Sequence, residues 1–150
     1  MEDLIKWMNV GARHTATHMD RVLAPYGLNA SQYMYIVEVC EHPGLTQDRF
    51  LTMFYLNPSN VTRAILALEK QGFLERCGSP RDRRTFCVYP TQKALALYPV
   101  ITRLRQEWQD CILAELAPDT RIALQQAMRS AALRAVALNE KEETRDDDPA

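Results

Sequence analysis

The chain has 150 residues, of which 47% are hydrophobic and 25% are charged. This composition is typical of one globular domain and excludes fibrous and wholly disordered proteins. The formal net charge is −1 at pH 7, which by itself argues against a nucleic-acid-binding protein.

The distribution of charge removes that argument. Residues 46–93 carry eight basic and four acidic side chains, whereas residues 140–150 carry two basic and six acidic ones. Arginine makes up 14 of the 18 basic residues, and its planar side chain suits contacts with phosphates and base edges. The sequence therefore predicts a basic segment in the middle of the chain and an acidic tail.

Cysteine usage and hydropathy indicate the compartment. The four cysteines are widely spaced and form no CxxC pair, which is typical of reduced thiols rather than a disulfide framework or a zinc site. The acidic start of the chain is unlike a secretory signal, and no apolar run reaches the roughly 20 residues that span a bilayer. We expect a cytoplasmic protein without a membrane partner.

Apolar residues recur with the helical period of 3.6 in the first half of the chain. Turn-forming residues such as Gly27 separate these apolar segments. Asn29, Thr46 and Asn57 stand where a side-chain oxygen can cap a helix, and Pro58 suits the first helical position. These signals predict four helices, over residues 2–24, 30–41, 46–55 and 57–71.

The fourth helix is predicted to have Val61, Ile65 and Leu68 on its apolar face, and Gly72 is predicted to end it.

The period changes after residue 72. Residues 73–77 and 85–89 are rich in aromatic and β-branched side chains, which predicts a β-hairpin with a basic tip. Two further helices are predicted over about residues 91–115 and 118–139. The charged segment 140–150 is predicted to be disordered.

Two short helices, a tight turn and a basic hairpin form a winged helix-turn-helix. A helix about 10–12 Å across fits a DNA major groove about 12 Å wide, and its amino-terminal end attracts anions. Asparagine pairs with adenine and arginine with guanine, while arginine also enters narrow minor grooves. The side chains predicted to contact DNA are Ser59, Asn60 and Arg63 on the second short helix and Arg81, Arg83 and Arg84 on the hairpin.

The same segment resembles the MarR family of bacterial transcription regulators. The resemblance rests on residues 45–47, 57–63, 68–76 and 82–84, which read LTQ, NPSNVTR, LEKQGFLER and DRR. It implies a homodimer that binds a pseudo-palindromic operator, usually as a repressor. It adds Thr62 to the residues that approach the major groove, places Arg84 in the minor groove and assigns Asp82 to orienting Arg84.

The predicted fold class is mostly α with a small β-hairpin wing. A single domain spans residues 1–139, with a DNA-binding lobe over about residues 29–91. The resemblance assigns dimerisation to the helices at both ends, over about residues 2–24 and 91–139. In the family, the second of the two short helices, here residues 57–71, is the recognition helix. Two-fold symmetry would place the recognition helices of the two protomers about 34–36 Å apart, one turn of DNA.

Small-molecule sensing is the commonest mode of regulation in the family that the chain resembles. Aromatic walls with a few polar anchors are the expected composition of a ligand pocket, and a small aromatic or phenolic effector would favour a dimer unable to bind DNA. The same side chains could instead pack in the core or in the dimer. The candidates are Trp7, Arg13, His14, His18, Tyr33, Met34 and Tyr35.

Two other modes of regulation stay open as alternatives. His14 and His18 have a helical spacing that can hold a metal, but a helix–helix contact or exposure to solvent explains them better, and we expect no metal and no cofactor. Cys77 and Cys87 lie on opposite strands of the hairpin, where oxidation could act as a switch. If Cys77 faces Thr85, the two thiols are near each other but not directly opposed.

Other function classes lack support in the sequence. We find no GxSxG, Walker A, HExxH or GxGxxG motif, so we expect no enzyme. A winged helix that binds another protein is the remaining alternative, but such a module needs no cluster of arginines in its wing.

Overall fold

The computed structural model describes residues 3–54, 58–79, 81 and 84–146. The chain divides into two compact units, Met1–Glu107 and Trp108–Ala150. The described residues are mostly helical and include a small antiparallel sheet, which confirms the predicted fold class. The helices are α1 (Leu4–Leu23), α2 (Tyr33–Glu41), α3 (Gln47–Phe54), α4 (Pro58–Lys70), α5 (Gln92–Ile112) and α6 (Pro118–Asp146), and the strands are β1 (Leu45–Thr46), β2 (Leu74–Gly78) and β3 (Phe86–Pro90).

The first helix, α1, is capped at its amino-terminal end by Asp3. The carboxylate of Asp3 accepts hydrogen bonds from the backbone N–H groups of Ile5 and Lys6 at 3.0 and 3.2 Å, so two otherwise unpaired donors of the first turn are satisfied. A short 3₁₀ turn follows, and Gly27 then adopts a φ of 73°, a conformation that glycine reaches at little cost.

The second helix begins at Tyr33 rather than at the predicted residue 30. The side-chain oxygen of Asn29 accepts hydrogen bonds from both the backbone N–H and the hydroxyl of Ser31, at 2.9 and 2.7 Å. Such a side-chain turn competes with helix formation. Asn29 therefore organises a turn ahead of α2 instead of capping it directly.

The segment before α3 contains a short strand that the sequence pattern did not predict. Leu45 pairs with Val88 and Thr46 with Cys87, so the sheet has three strands in the order β1-β3-β2. The pairing is non-local, and two residues are too few to show the alternation by which strands are recognised. Residues 55–57, which include the predicted helix end and the predicted cap Asn57, lie outside the described residues.

The predicted apolar face of α4 is confirmed. Val61, Ile65 and Leu68 are each 0% exposed. They belong to the core of the first unit, in which the fully buried side chains also include Met19, Leu23, Ile36, Val39, Phe50, Phe73, Val88 and Ile101. The helix ends at Lys70, and Gly72 has a φ of 82°, so the predicted glycine stop is confirmed.

The hairpin forms as predicted, but its register differs. Cys77 lies directly opposite Cys87, so the expectation that Cys77 faces Thr85 is wrong. Thr85 instead accepts a hydrogen bond from the backbone N–H of Ser79 at 2.9 Å. The shift is by two residues and therefore leaves the same side chains on the core face, which is why the hydrophobic pattern did not detect it.

The second unit contains the long helix α6. This helix continues to Asp146, so the prediction of disorder from residue 140 is wrong for residues 140–146. Glutamate and lysine have high helix propensity, and a helix already formed needs no new nucleus to extend. Among the described helices, none is both long and apolar enough to cross a bilayer.

Candidate nucleic-acid interface

The start of α4 presents a small polar cluster to solvent. Ser59, Asn60 and Arg63 are all exposed. The Nη2 group of Arg63 donates to the side-chain oxygen of Asn60 at 2.7 Å, and its Nε group contacts the carbonyl oxygen of Ser59 at 3.4 Å. Asn60 therefore holds the guanidinium in one orientation, which lowers the entropy cost of a later contact with a ligand.

Thr62, by contrast, lies between the two short helices. Its side chain is half-buried, and its hydroxyl oxygen accepts a hydrogen bond from the Gln47 amide at 2.7 Å. Gln47 is the first residue of α3, so this bond joins the starts of α3 and α4. The contribution of Gln47 was not predicted, because the bond connects residues that are distant in sequence.

The hairpin is joined to α4 by an ion pair. Arg76 on β2 donates to Glu69 on α4 through Nε and Nη2, at 3.0 and 3.1 Å, and its backbone N–H adds a third bond at 3.2 Å. The guanidinium also lies 5.0 Å from the centre of the Phe86 ring on β3. Bidentate pairing and ring stacking both restrict orientation, so the base of the wing is fixed relative to α4.

This ion pair predicts a pH-dependent contribution to stability. The hydrogen bonds from Arg76 hold the pKa of the Glu69 carboxyl below its ordinary value, although partial burial opposes this. Because the folded-state pKa is lowered, the stabilisation is complete above the unfolded-state pKa of about 4.3 and is lost as the pH falls through the folded-state value. We expect Glu69→Gln to lower the free energy of unfolding, measured by urea unfolding, by about 1 kcal/mol at pH 7. Below the folded-state pKa of Glu69, the variant and the parent should have the same free energy of unfolding.

Glu75→Gln is the matched control for this prediction. Glu75 precedes Arg76 on β2 and is exposed. The Glu75→Gln substitution removes the same negative charge as Glu69→Gln. A Glu69→Gln deficit that stays constant from pH 7 to pH 3 would contradict the assigned role of the ion pair.

A cleft lies between α3, α4 and the wing. Its volume is about 250 Å³, and its walls are partly polar and partly apolar, formed by Gln47, Asp48, Thr62, Arg76, Arg84, Thr85 and Phe86. The predicted wing residues Arg81 and Arg84 are exposed, and Arg84 lines this cleft. Asp82 and Arg83 lie outside the described residues, so their predicted roles remain predictions.

Two of the predicted effector residues, Met34 and Tyr35, line one cavity. This cavity has a volume of about 650 Å³ and also reaches Asn60 and Arg63; the other lining residues are Ser31, Gln32, Ala64 and Ala67. The other predicted pocket residues do not line this cavity: Trp7, Arg13 and His14 are exposed, and His18 and Tyr33 are half-buried.

Tyr35 is also a core residue. It is 3% exposed and its ring centre lies 5.4 Å from that of Phe50, and burial raises the pKa of its hydroxyl. Tyr35 therefore serves packing as well as lining the cavity.

One group of possible metal ligands occurs among the described residues, and it does not include His14 or His18. It consists of Glu38, Glu41 and His42 at the end of α2. The imidazole of His42 lies 3.4 Å from the Glu38 carboxylate, and the Tyr98 hydroxyl donates to Glu41 at 2.8 Å. The group is thus already linked by contacts within the protein.

Comparison with known proteins finds a family and solved structures that this chain resembles. A sequence model of the MarR family matches residues 28–86, the segment that contains α2, α3, α4 and most of the hairpin. Over this segment the chain is similar in sequence to the MarR family. YybA of Bacillus subtilis (strain 168), an HTH-type transcriptional regulator, is 27% identical over 103 residues, which are 69% of each chain.

Solved structures with a similar fold match nearly the whole chain. The transcriptional regulator SlyA has a TM-score of 0.83 at 26% identity, with 95% of this chain and 99% of SlyA covered. The MepR–DNA complex of S. aureus has a TM-score of 0.83 at 14% identity, with 89% of this chain and 99% of MepR covered. YybA and SlyA are both named as transcriptional regulators.

Proposed function

We propose that this chain is a MarR-family transcription regulator. It acts as a homodimeric repressor that places α4 in the major groove and the wing in the minor groove of a pseudo-palindromic operator. The observation that carries this proposal is the exposed Arg63 guanidinium, held by Asn60 at the amino-terminal end of α4. The structural similarity to MepR, which was solved bound to DNA, supports the same mode of docking.

Each part of the cluster has a distinct proposed role. Arg63 donates to the O6 and N7 acceptors of a guanine, since a guanidinium matches both at once. Asn60 keeps Arg63 oriented, and Ser59 contacts a phosphate at the positive end of the helix. Thr62 acts mainly through Gln47 by setting the angle between α3 and α4. Arg84 enters the minor groove beside the cleft.

Uncovered apolar side chains support the proposed homodimer. On α1, Leu4 is 64% and Ile5 63% exposed. In the second unit, Ile122 on α6 is 55% and Leu138 46% exposed. Helices that expose apolar residues of this size are typical of interaction surfaces, and each unit provides such a surface.

The large cavity supports release by a small aromatic acid. Met34 and Tyr35 offer apolar and aromatic contact, while Arg63 offers a positive charge in the same cavity. A carboxylate or phenolate bound there would pair with Arg63 and withdraw it from DNA. The effector would thereby shift the population toward a state that does not bind the operator. Trp7, Arg13, His14, His18 and Tyr33 remain candidates for a further part of the effector site.

The salt dependence of DNA binding tests the proposal. DNA fragments selected from genomic DNA by the protein provide the probe, and fluorescence anisotropy provides the affinity. The logarithm of the association constant should fall by about 0.9 per neutralised phosphate for each tenfold increase in salt. Arg84→Ala should weaken binding and reduce this slope by about one contact.

Arg103→Ala is the control for the loss of one positive charge. Arg103 is 63% exposed and pairs with Glu107 on α5, away from the cleft. Salt-independent binding, or equal behaviour of the two variants, would argue against the proposed DNA interface. In the same assay, displacement of DNA by phenolic acids tests effector release, and an unchanged complex across the series would exclude this class of effector.

A further inference from the structure

Two thiols lie side by side on the outer face of the wing. Cys77 on β2 and Cys87 on β3 are direct partners in the strand register, and both are free thiols. The core face of these strands carries Leu74 and Val88, which are 1% and 0% exposed. The alternation of side chains therefore places both thiols on the opposite, outer face, where Cys77 is exposed and Cys87 half-buried.

The pair is of the hydrogen-bonded type. The backbone N–H of Ser79 donates to the carbonyl of Thr85, and hydrogen-bonded pairs alternate along an antiparallel ladder. Cys77 and Cys87 occupy the next such pair, for which the Cα atoms are about 5.5 Å apart. That spacing falls inside the range of about 4.4–6.8 Å for disulfides.

The Cβ atoms of such a pair are about 4.5–5.5 Å apart, whereas a disulfide needs about 3.5–4.5 Å. Bond formation therefore requires the two strands to approach by up to about 1 Å. An exposed disulfide formed under this strain is readily reduced, as in reversible regulatory disulfides.

We propose that Cys77 and Cys87 form an oxidation site for hydroperoxides, closing reversibly to a disulfide across the wing. The exposed Cys77 thiolate attacks the distal peroxide oxygen, the O–O bond breaks, and the leaving alkoxide takes up a proton to give an alcohol, or water from hydrogen peroxide. The resulting sulfenic acid is attacked by the Cys87 thiol, the S–O bond breaks, and water leaves as the S–S bond forms. Two thiols are thereby oxidised and one peroxide is reduced.

Disulfide closure acts on the elements that orient the wing. Arg76 and Phe86 precede the two cysteines and stack on each other at 5.0 Å, and Arg76 also binds Glu69 on α4. Drawing the strands together at the neighbouring Cys77–Cys87 pair strains this arrangement and shifts Arg84, which lies two residues before Phe86. Operator affinity should fall by about tenfold, the cost of one or two lost backbone contacts; this consequence rests on the proposed function, whereas disulfide formation does not.

Peptide mapping of the full-length protein tests the chemistry. After treatment with a small excess of hydrogen peroxide, mass spectrometry should find a peptide pair that links Cys77 to Cys87, and dithiothreitol should separate it. Cys77→Ser and Cys87→Ser should each abolish the link, whereas Cys111→Ser, which removes another exposed thiol, should not. Absence of the linked pair, with Cys77 further oxidised instead, overturns the proposal.

DNA binding tests the consequence separately, with a fragment selected by the reduced protein as the probe. Oxidation should weaken binding of the parent and of Cys111→Ser, and dithiothreitol should restore it, while the two wing variants remain unaffected. If the disulfide forms and the affinity for DNA is unchanged, the proposal that it regulates DNA binding is overturned. Failure of the reduced protein to bind any DNA counts against the proposed function, but not against the thiol chemistry.

Discussion

Replacing Arg63 by alanine should lower operator affinity by about 10- to 100-fold while leaving the protein folded. The affinity estimate follows from a bidentate arginine–guanine contact, which is worth about 1–3 kcal/mol. Arg63 is exposed, and its hydrogen bonds run to Asn60 and to the carbonyl of Ser59 within its own helix. The free energy of unfolding should therefore change by no more than about 0.5 kcal/mol. Fluorescence anisotropy at fixed salt and thermal unfolding measure the two quantities.

Two further variants separate charge from orientation. Arg63→Lys keeps the positive charge but loses the bidentate donor geometry. Compared with Arg63→Ala, it should therefore restore the salt dependence of DNA binding but not the preference for one DNA sequence. Asn60→Ala keeps Arg63 but removes the bond that orients it, so it should weaken binding less than Arg63→Ala. If the Arg63→Ala variant bound operator DNA with the same affinity as the parent, Arg63 would be excluded as a base-reading residue.

The sequence predicted those parts of the fold that local patterns determine. Val61, Ile65 and Leu68 repeat at helical spacing, and all three are fully buried. Gly72 adopts the left-handed conformation expected of a helix stop. Each of these features depends on residues within one or two helical turns, which a single sequence displays directly.

Features that depend on distant residues were missed. The strand formed by Leu45 and Thr46 exists only because β3 provides a partner, and the Gln47–Thr62 hydrogen bond requires α3 and α4 to be packed already. The opposition of Cys77 and Cys87 depends on the length of the turn. The resemblance to the MarR family pointed to the right segment, whereas the contacts that stabilise the site become visible only in three dimensions.

The site also depends on a buried aromatic pair beneath it. Phe50 is 0% exposed and its ring packs at 5.4 Å and 33° against Tyr35 on α2. Phe50→Ala removes most of this packing and leaves a cavity, which costs about 3–5 kcal/mol. We expect the melting temperature to fall by roughly 6–20 °C, measured by differential scanning calorimetry. Phe50→Leu keeps much of the apolar volume, so its melting temperature should fall clearly less than that of Phe50→Ala. Equal melting temperatures for Phe50→Ala and the parent would contradict the assignment of Phe50 to the core.

The Phe50 and Arg63 variants should respond differently to DNA, because one loses stability and the other loses contacts. Binding to the folded state alone raises stability by an amount set by the ratio of DNA concentration to dissociation constant. Phe50→Ala retains Ser59, Asn60 and Arg63, so excess operator should raise its melting temperature by about as much as that of the parent. Arg63→Ala begins from a parental melting temperature but should gain much less from DNA. Calorimetry of both variants with and without operator therefore distinguishes a residue that supports the recognition helix from one that reads the base.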